Sequence, residues 1–211
     1  ITSYAWSKDK QELDADFTYH DVFQNGKESN QDLITQEINY QSTQGEKMDW
    51  TIGSFGFYKD LTNDYLATFG TERHLLLPLD LDQAAYYNNT STWGIAGYGQ
   101  ITLKNLLPGL FVSAGIRYDY EKASLTYRDS LLFHGASKLE GYHDWDEDHS
   151  YASWLPKFSI LQKWNEMLST YVNVSKGYKA GGYNIISNEM TTQIVKLDYS
   201  KESLWNYEIG A

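Results

Sequence analysis

Apolar and polar residues alternate strictly in several segments of the chain. In the clearest segment the two faces are formed by Leu110, Val112, Ala114, Ile116, Tyr118 and Tyr120, and by Ser113, Gly115, Arg117, Asp119 and Glu121. A period of two residues is that of a β-strand, whose successive side chains point to opposite faces. The same period recurs at 168–175 and 205–209 and, with Gln36 interrupting it, at 34–41. The pattern predicts an all-β chain of about eight antiparallel strands.

One strand of this set departs from the regular pattern. Phe55 and Phe57 are out of phase with Trp50, which predicts a β-bulge at Gly53 or Ser54 because a bulge shifts the register by one residue. Farther along, the region around Tyr65 is compatible with either a strand or a loop.

The connections between strands alternate in length. Short segments rich in turn-forming or polar residues lie at 44–47, 105–109 and 163–166, and between them lie long polar stretches at 18–31, 62–91, 128–149 and 177–201. Outer-membrane barrels have short periplasmic turns and long extracellular loops. We therefore expect the strands to run up and down, with the four long stretches as loops at one end.

Composition supports the β prediction and excludes some functions. The 18 Tyr, 7 Trp and 8 Phe residues against 3 Pro favour pleated surfaces, and the absence of Cys excludes disulfides and thiolate metal sites. A net charge of −11 argues against a nucleic-acid partner, which needs clustered basic residues. A mean hydropathy of −0.55 is compatible with a membrane barrel, because such a strand faces lipid only at every second residue.

Two architectures fit these patterns. In a transmembrane barrel, Tyr118, Tyr120, Trp205 and Tyr207 would form an aromatic girdle at the membrane interface, since they lie on apolar faces near strand ends. In a secreted β-sandwich that binds carbohydrate, the same residues would border the core. The alternation alone is typical of both.

Five segments of the chain resemble a known family. Residues 171–184 (YVNVSKGYKAGGYN) and 202–211 (ESLWNYEIGA) closely resemble the barrel of TonB-dependent outer-membrane receptors, and 50–65, 96–102 and 112–118 look like further strands of it. The resemblance implies a bacterial outer-membrane location and a barrel of about 22 strands around an N-terminal plug. It also implies import of a ferric siderophore, haem, cobalamin or a glycan, with energy supplied by TonB.

From this resemblance we expect residues 1–211 to be an internal part of such a barrel, of about eight strands, without the plug, the TonB box or the terminal strand. The implied partners are a small-molecule ligand, outer-membrane lipid and, through the plug, the TonB complex. On the strand pattern, lipid would contact Ile116, Val172, Trp205 and Tyr207, and the lumen would contain Arg117, Glu121 and Glu208.

The glycine-rich segment 176–183 (KGYKAGGY) supplies three candidate ligand-binding residues. Its spacing does not match a phosphate-binding loop, and no Ser or Thr completes one. Glycines permit a strand to bend where it leaves the membrane. We therefore expect Tyr178, Lys179 and Tyr183 to face the upper lumen and to contact the ligand.

The segment 143–149 (HDWDEDH) combines carboxylates with two imidazoles. Such groups are ligands for divalent cations, but the segment lacks the glycine and the spaced glutamate of an EF-hand and the separated ligands of a zinc site. We therefore predict no resident metal or cofactor. As an extracellular loop the segment would instead gather cationic or metal-containing ligands, with His143, Asp146 and His149 as candidate contacts.

No catalytic set is predicted. The chain lacks a nucleophile elbow and a zincin motif. Asp119 and Glu121 share a strand face, as the acids of a glycosidase do, but charged residues in any barrel lumen have the same arrangement. We therefore expect a transport or binding protein that is not an enzyme.

Overall fold

Long antiparallel strands make up nearly all of the part of the chain that the computed structural model describes, namely residues 1–42, 45–75, 80–138, 140–183 and 198–211. The strands are β1 (Thr2–Asp14), β2 (Phe23–Gln41), β3 (Met48–Phe69), β4 (Leu81–Lys104), β5 (Leu110–Phe133), β6 (Glu140–Lys163), β7 (Ser169–Lys179), β8 (Gly182–Tyr183), β9 (Asp198–Tyr199) and β10 (Glu202–Gly210). A short 3-10 turn spans Arg73–Leu75. Within the described ranges, no helix has the length and apolar composition needed to cross a membrane.

The strands form a simple meander. In the described residues, eight of them make one sheet in the order β1-β2-β3-β4-β5-β6-β7-β10, and β8 pairs with β9 in a separate two-stranded sheet. Every pairing is antiparallel. This topology confirms the predicted all-β, up-and-down arrangement.

The exposure of apolar and polar side chains on the eight-stranded sheet is the reverse of that in a soluble protein. On one face large apolar side chains are exposed, with Ile95 and Trp154 each 59% exposed and Ile116 51% exposed. On the other face Asp119 is only 6% exposed. We call these the outer face and the inner face. Exposed apolar side chains over a whole sheet face indicate contact with lipid or another apolar partner.

The β-sandwich alternative requires a second sheet packed on the first. In the part of the chain that the structure describes, no second sheet of that size covers the outer face, because the only other pairing is the two-residue β8-β9 ladder. The sandwich is therefore not favoured. The predicted faces of the strands are confirmed: Ile116, Val172, Trp205 and Tyr207 are on the outer face, and Arg117, Glu121 and Glu208 are on the inner face.

Aromatic side chains border the apolar part of the outer face at both ends. At the lower end the rings of Tyr40 and Trp50 lie 5.3 Å apart, and at the upper end those of Trp93 and Tyr120 lie 5.6 Å apart. Tyr58 lies directly opposite Trp93 in the β3-β4 ladder. We call Tyr58, Trp93 and Tyr120 the upper girdle. The length of β3 between its two aromatic borders agrees with the roughly 9–11 residues that a tilted strand needs to cross a bilayer.

Above the upper girdle the outer face becomes polar. On β5 and β6 the cross-strand contacts there are an Arg128–Asp144 ion pair of 3.2 Å and a hydrogen bond of 2.7 Å from Thr126 to Asp146. Strands β3 to β6 have 22 to 24 residues each, about twice the length that crosses a bilayer. About half of each of these strands therefore projects above the membrane.

Three of the predicted long loops are wrong in extent. Much of 18–31, 62–91 and 128–149 is strand, and the described parts of the connections are 15–22, 70–75 with 80, and 134–138. Of the fourth predicted loop, 177–201, residues 184–197 lie outside the described part. Tyr65 lies within β3. Above the membrane the outer face no longer contacts lipid, so polar residues such as Thr126 and Arg128 replace apolar ones there. The segment as a whole becomes polar while the backbone ladder continues. The connections at 42–47, 105–109 and 164–168 confirm the predicted short turns, with residues 43–44 outside the described part.

The predicted bulge at Gly53 or Ser54 is also wrong. The β2-β3 ladder runs without interruption, with Gly53 opposite Asn39 and Ser54 opposite Ile38. The apolar residues change phase because Phe55 points to the inner face, where it contributes to the polar and aromatic wall. The register shifts are instead in β4 near Leu81 and in β5 after Asp129.

Candidate functional site

Between β7 and β10, the described residues 180–183 and 198–201 lie over the inner face of β5 and β6. The β6-β7 ladder ends at the pair Lys157–Ser175, and β7 continues upward paired only with β10 in the described residues. Farther along, the Tyr183 hydroxyl lies 3.1 Å from the carbonyl oxygen of Ala123 and 3.0 Å from that of Glu147, and its single proton is shared between the two acceptors. Tyr183 therefore joins the folded-over segment to two strands at once.

Charged residues attach the other end of this segment. Lys201, just before β10, donates to the carbonyl oxygen of Ala152 and to Ser153 Oγ at 3.3 Å. The carboxylate of Asp198 in β9 lies 3.7 Å from His149 Nε2. Together these contacts hold β8 and β9 against β6.

Aromatic rings and a carboxylate form the centre of the site. The rings of Tyr183 and His149 stack with centroids 5.5 Å apart, and Tyr151 lies next to His149 at 6.5 Å. Opposite Tyr151 in the β5-β6 ladder lies Glu121, which accepts a 2.5 Å hydrogen bond from the Tyr178 hydroxyl. We call Glu121, His149, Tyr151, Tyr178 and Tyr183 the inner patch. It presents flat ring faces and hydrogen-bonding groups, which suit a planar or aromatic ligand.

The phenols of the inner patch lie above the upper girdle and remain protonated at neutral pH. Burial raises the pKa of Tyr183 to about 12, helped by the nearby hydroxyl of Tyr151 and by surrounding carboxylates. Burial and the hydrogen bond to Glu121 raise the pKa of Tyr178, and burial raises that of Tyr151. These hydroxyls therefore act as hydrogen-bond donors rather than as phenolate ligands for a metal.

Four of the six predicted site residues, namely Tyr178, Lys179, Tyr183 and His149, lie in the inner patch or at its edge. Tyr178 and Tyr183 belong to the patch, and Lys179 lies at its edge with its ammonium 5.9 Å from the centre of the Tyr199 ring. The presence of His149 in the same patch, contributed by a different strand, was not predicted, because it depends on how the segment after β7 folds back.

The segment 143–149 is part of β6 and not a loop, which corrects the prediction. Strand alternation places His143 and His149 on the inner face and Asp146 on the outer face, where it accepts the hydrogen bond from Thr126. The two histidines are six residues apart on an extended strand, or about 20 Å. The three side chains therefore do not form a common site, and Asp146 lies outside the inner patch.

His143 has its own partner higher on the inner face. Its Nδ1 lies 2.8 Å from Asp129 Oδ2, and its backbone N–H donates to Asp129 Oδ1 at 2.7 Å. The imidazole packs against Trp145 in a tilted arrangement with ring centroids 4.8 Å apart, and Trp145 in turn stacks against Tyr127 at 5.2 Å. In the described residues no group of three or more His, Asp or Glu side chains is arranged to hold a metal ion.

Several of these residues were missed in the sequence. Asp129 is 5% exposed and Tyr127 only 1% exposed, which makes them among the most buried side chains of the structure. Tyr151 and Trp145 follow the two-residue period of His149 and His143, and this period was the available signal. The polar composition of 128–149 predicts a loop, which hides this period.

Lower on the inner face, at the level of the membrane, a charged and aromatic wall continues from the patch. Arg117 pairs with Asp119 at 2.7 Å, and its guanidinium lies 5.7 Å from the centre of the Phe55 ring and 5.8 Å from that of Tyr98. Tyr98 donates a 2.6 Å hydrogen bond to Glu37. Such polar groups face a water-filled or protein-filled interior, since lipid would leave them unsatisfied.

Comparison with known proteins agrees with this architecture. The model of the family described as TonB dependent receptor-like, beta-barrel matches residues 2–211. The crystal structure of the ferric yersiniabactin uptake receptor FyuA from Yersinia pestis is similar, with a TM-score of 0.77 and 18% sequence identity. The match covers 99% of this chain and 29% of the receptor. At this identity the likeness concerns the fold.

The outer face therefore contacts the lipid of the bacterial outer membrane, and the inner face lines the barrel. Because the family model matches almost the whole length, this chain belongs to the family of TonB-dependent receptor β-barrels.

Proposed function

We propose that the chain is part of the wall of an outer-membrane receptor that imports a small-molecule nutrient, with energy delivered by a TonB complex to a plug inside the barrel. The observation that carries this proposal is the inner patch. It lies above the membrane, faces the lumen and combines stacked rings with hydroxyl and carboxylate groups, as a site that captures a ligand before transport requires.

We propose a ferric siderophore as the ligand class. The similar receptor from Yersinia pestis is named for uptake of ferric yersiniabactin, which supports this class over haem, cobalamin and glycans. The rings of His149 and Tyr183 would stack on a planar chelating group, and the ammonium groups of Lys179 and Lys201 would attract a chelate of negative charge. The iron is cargo, held by the siderophore, and needs no ligand from the chain.

Within this proposal the six predicted residues have different roles. Tyr178, Lys179, Tyr183 and His149 contact the ligand in or beside the inner patch. His143, about 20 Å higher on the same strand, provides an earlier contact near the extracellular end. Asp146, on the outer face, has no role in ligand binding.

The test uses the complete receptor in a bacterial strain that lacks its own copy. Uptake of radiolabelled ferric siderophores, haem, cobalamin and oligosaccharides is measured with and without a working TonB complex. We expect TonB-dependent uptake of a ferric siderophore, reduced about tenfold by His149→Ala, since truncation of a central contact costs on the order of 1–2 kcal/mol. TonB-independent uptake, or no uptake of any iron chelate, contradicts the proposal.

Asp146→Asn is the matched control. Asp146 lies three residues from His149 on the same strand and faces the other way. Its replacement should leave uptake within about twofold of the unchanged receptor, and both variants should show the same heat-modifiable gel mobility. Equal losses in the two variants would mean that β6 is disturbed as a whole and that the inner patch is not the binding site.

A further inference from the structure

A groove of about 620 Å³ crosses the outer face of the sheet above the upper girdle. Its lining includes Lys10, Gly26, Leu66, Ala85, Tyr87 and Arg128. It is separate from the inner patch, which lies on the other face. Because it opens outward, a ligand on its way through the barrel does not pass it.

The groove is built from two adjacent rows of outward-facing positions. In the first row, Lys10 lies opposite Glu28, Glu28 opposite Asp64, Asp64 opposite Tyr87 and Tyr87 opposite Arg128, so one row crosses five strands. In the second row, Gly26 lies opposite Leu66 and Leu66 opposite Ala85. Residues opposite each other in a ladder share a face, so both rows belong to the face that contacts lipid lower down.

The height of the groove indicates what surrounds it. On three neighbouring strands, Leu66, Ala85 and Arg128 are each eight residues above a member of the upper girdle. At about 3.3 Å per residue and the usual strand tilt, this distance is about 20 Å above the membrane interface. In the outer leaflet, the sugar core of lipopolysaccharide occupies this layer.

The chemistry of the two rows fits a phosphorylated sugar. The second row ends in Glu12 and Ser130, and its middle is small or apolar. There Leu66 is 42% exposed, which gives the apolar faces of sugar rings a surface to pack on. In the first row carboxylates accept hydrogen bonds from sugar hydroxyls, and Lys10 and Arg128 pair with phosphate. Lys10 and Arg128 already contact Glu12 and Asp144, but such exposed ion pairs exchange at little cost.

We propose that this groove binds the phosphorylated oligosaccharide core of lipopolysaccharide in the outer leaflet. The groove is continuous with the lipid-facing surface, so the sugars of neighbouring lipopolysaccharide molecules are in position to enter it. The inference depends on the outer-membrane location of the chain and not on which nutrient the receptor imports.

The test measures binding of defined glycolipids to the complete receptor, refolded in detergent from inclusion bodies so that it carries no lipopolysaccharide. The probes are rough lipopolysaccharide with a phosphorylated core and lipid A without a core, and native mass spectrometry counts the bound molecules. We expect the receptor to bind rough lipopolysaccharide about tenfold more tightly than lipid A.

Two variants test whether the groove is responsible. Gly26→Phe should fill it, and the strand has room for the new side chain because a Cβ atom at Gly26 would lie 3.6 Å from the nearest atom, Leu66 O. Arg128→Ala should remove the phosphate contact. Each variant should lose most of the tenfold preference. The matched control is Lys122→Ala, which removes a basic residue from the outer face of the same strand below the groove.

Three outcomes would overturn the proposal. The first is equal binding of rough lipopolysaccharide and lipid A by the unchanged receptor. The second is a preference for the core that Gly26→Phe leaves intact. The third is loss of a co-purifying protein or of receptor dimers in Gly26→Phe with glycolipid binding unchanged, which would make the groove a protein interface. A normal heat-modifiable mobility of Gly26→Phe excludes misfolding as the cause of a loss.

Discussion

The imidazole of His149 stacks on the ring of Tyr183 with centroids 5.5 Å apart, and this contact joins β6 to the segment that folds over it. The Tyr183 hydroxyl adds a hydrogen bond shared between the backbone carbonyl oxygens of Ala123 in β5 and Glu147 in β6. Ring stacking and hydrogen bonding at this residue can therefore be separated by substitution.

Replacing Tyr183 should loosen the segment around β8 in two steps. Tyr183→Phe loses the shared hydrogen bond and keeps the ring, so we expect amide hydrogen exchange at residues 180–183 to rise about fivefold, as for a net hydrogen-bond contribution of about 1 kcal/mol. Tyr183→Ala also loses the stacking, and exchange should rise by more than about twentyfold. Hydrogen exchange with mass spectrometry on the complete receptor measures both. If Tyr183→Phe and Tyr183→Ala exchange equally fast, ring stacking does not help to hold the segment around β8.

The same contact should weaken at high pH. Burial raises the pKa of Tyr183 to about 12 from an unfolded value near 10, so the folded form holds this proton more tightly than the unfolded form. The contribution of this protonated phenol to the free energy of unfolding is complete below about pH 10 and decreases as the pH rises through 12. The difference between the ultraviolet titrations of the unchanged receptor and of Tyr183→Phe should show a phenol ionising near pH 12. A difference curve centred near pH 10 would contradict this assignment.

A charge at the centre of the lipid-facing band should prevent insertion. Ile116 is 51% exposed on the outer face between the aromatic borders, and arginine near the middle of the membrane costs about 2–4 kcal/mol. We expect Ile116→Arg to reduce the heat-modifiable, folded fraction severalfold. Ser124→Arg is the control, because Ser124 lies on the same face of the same strand above the upper girdle. Similar losses in both variants would place the membrane boundary elsewhere.

Two glycines of neighbouring strands should respond differently to a methyl group. A Cβ atom at Gly53 would collide with the Tyr98 ring and lie 2.9 Å from Ile38 O, while one at Gly97 would have nothing within 4 Å. Gly53→Ala should therefore destabilise the barrel by about 1–3 kcal/mol and displace the Tyr98 hydroxyl from Glu37. Gly97→Ala should be close to neutral. Urea unfolding of the complete receptor in lipid vesicles measures the stability of each variant. Equal stabilities of Gly53→Ala and Gly97→Ala would contradict close packing of Tyr98 on Gly53.

The strand pattern was sufficient to predict the fold within the membrane. Ile116, Val172 and Tyr207 face outward as predicted, because lipid on one face and the interior on the other impose a strict alternation. Above the upper girdle this constraint ends. Residues 128–133 and 140–149 continue β5 and β6, although their polar composition predicts a loop. Their outer face carries charged residues such as Arg128 and Asp144 in place of apolar ones, which masks the alternation on the inner face.

The candidate site was predicted only in part, for a related reason. Tyr178 and Tyr183 were identified from their glycine-rich surroundings, but their partners Glu121 and His149 come from strands about 35 to 60 residues earlier in the sequence. That proximity depends on the register of β5 with β6 and on the end of the β6-β7 ladder at Ser175. Neither is encoded in a local pattern of residues.

The alternation along 143–149 makes this segment unusually sensitive to length. Its imidazoles point into the lumen and the side chain of Asp146 points to the outside, although all lie within seven consecutive residues. Insertion or deletion of one residue below the segment would exchange the two sets, because a one-residue slip moves every side chain of a strand to the other face. Related receptors should therefore tolerate substitutions in this part of β6 far better than changes of its length, and a natural variant that differs by one residue would have acquired a carboxylate-lined lumen in a single step.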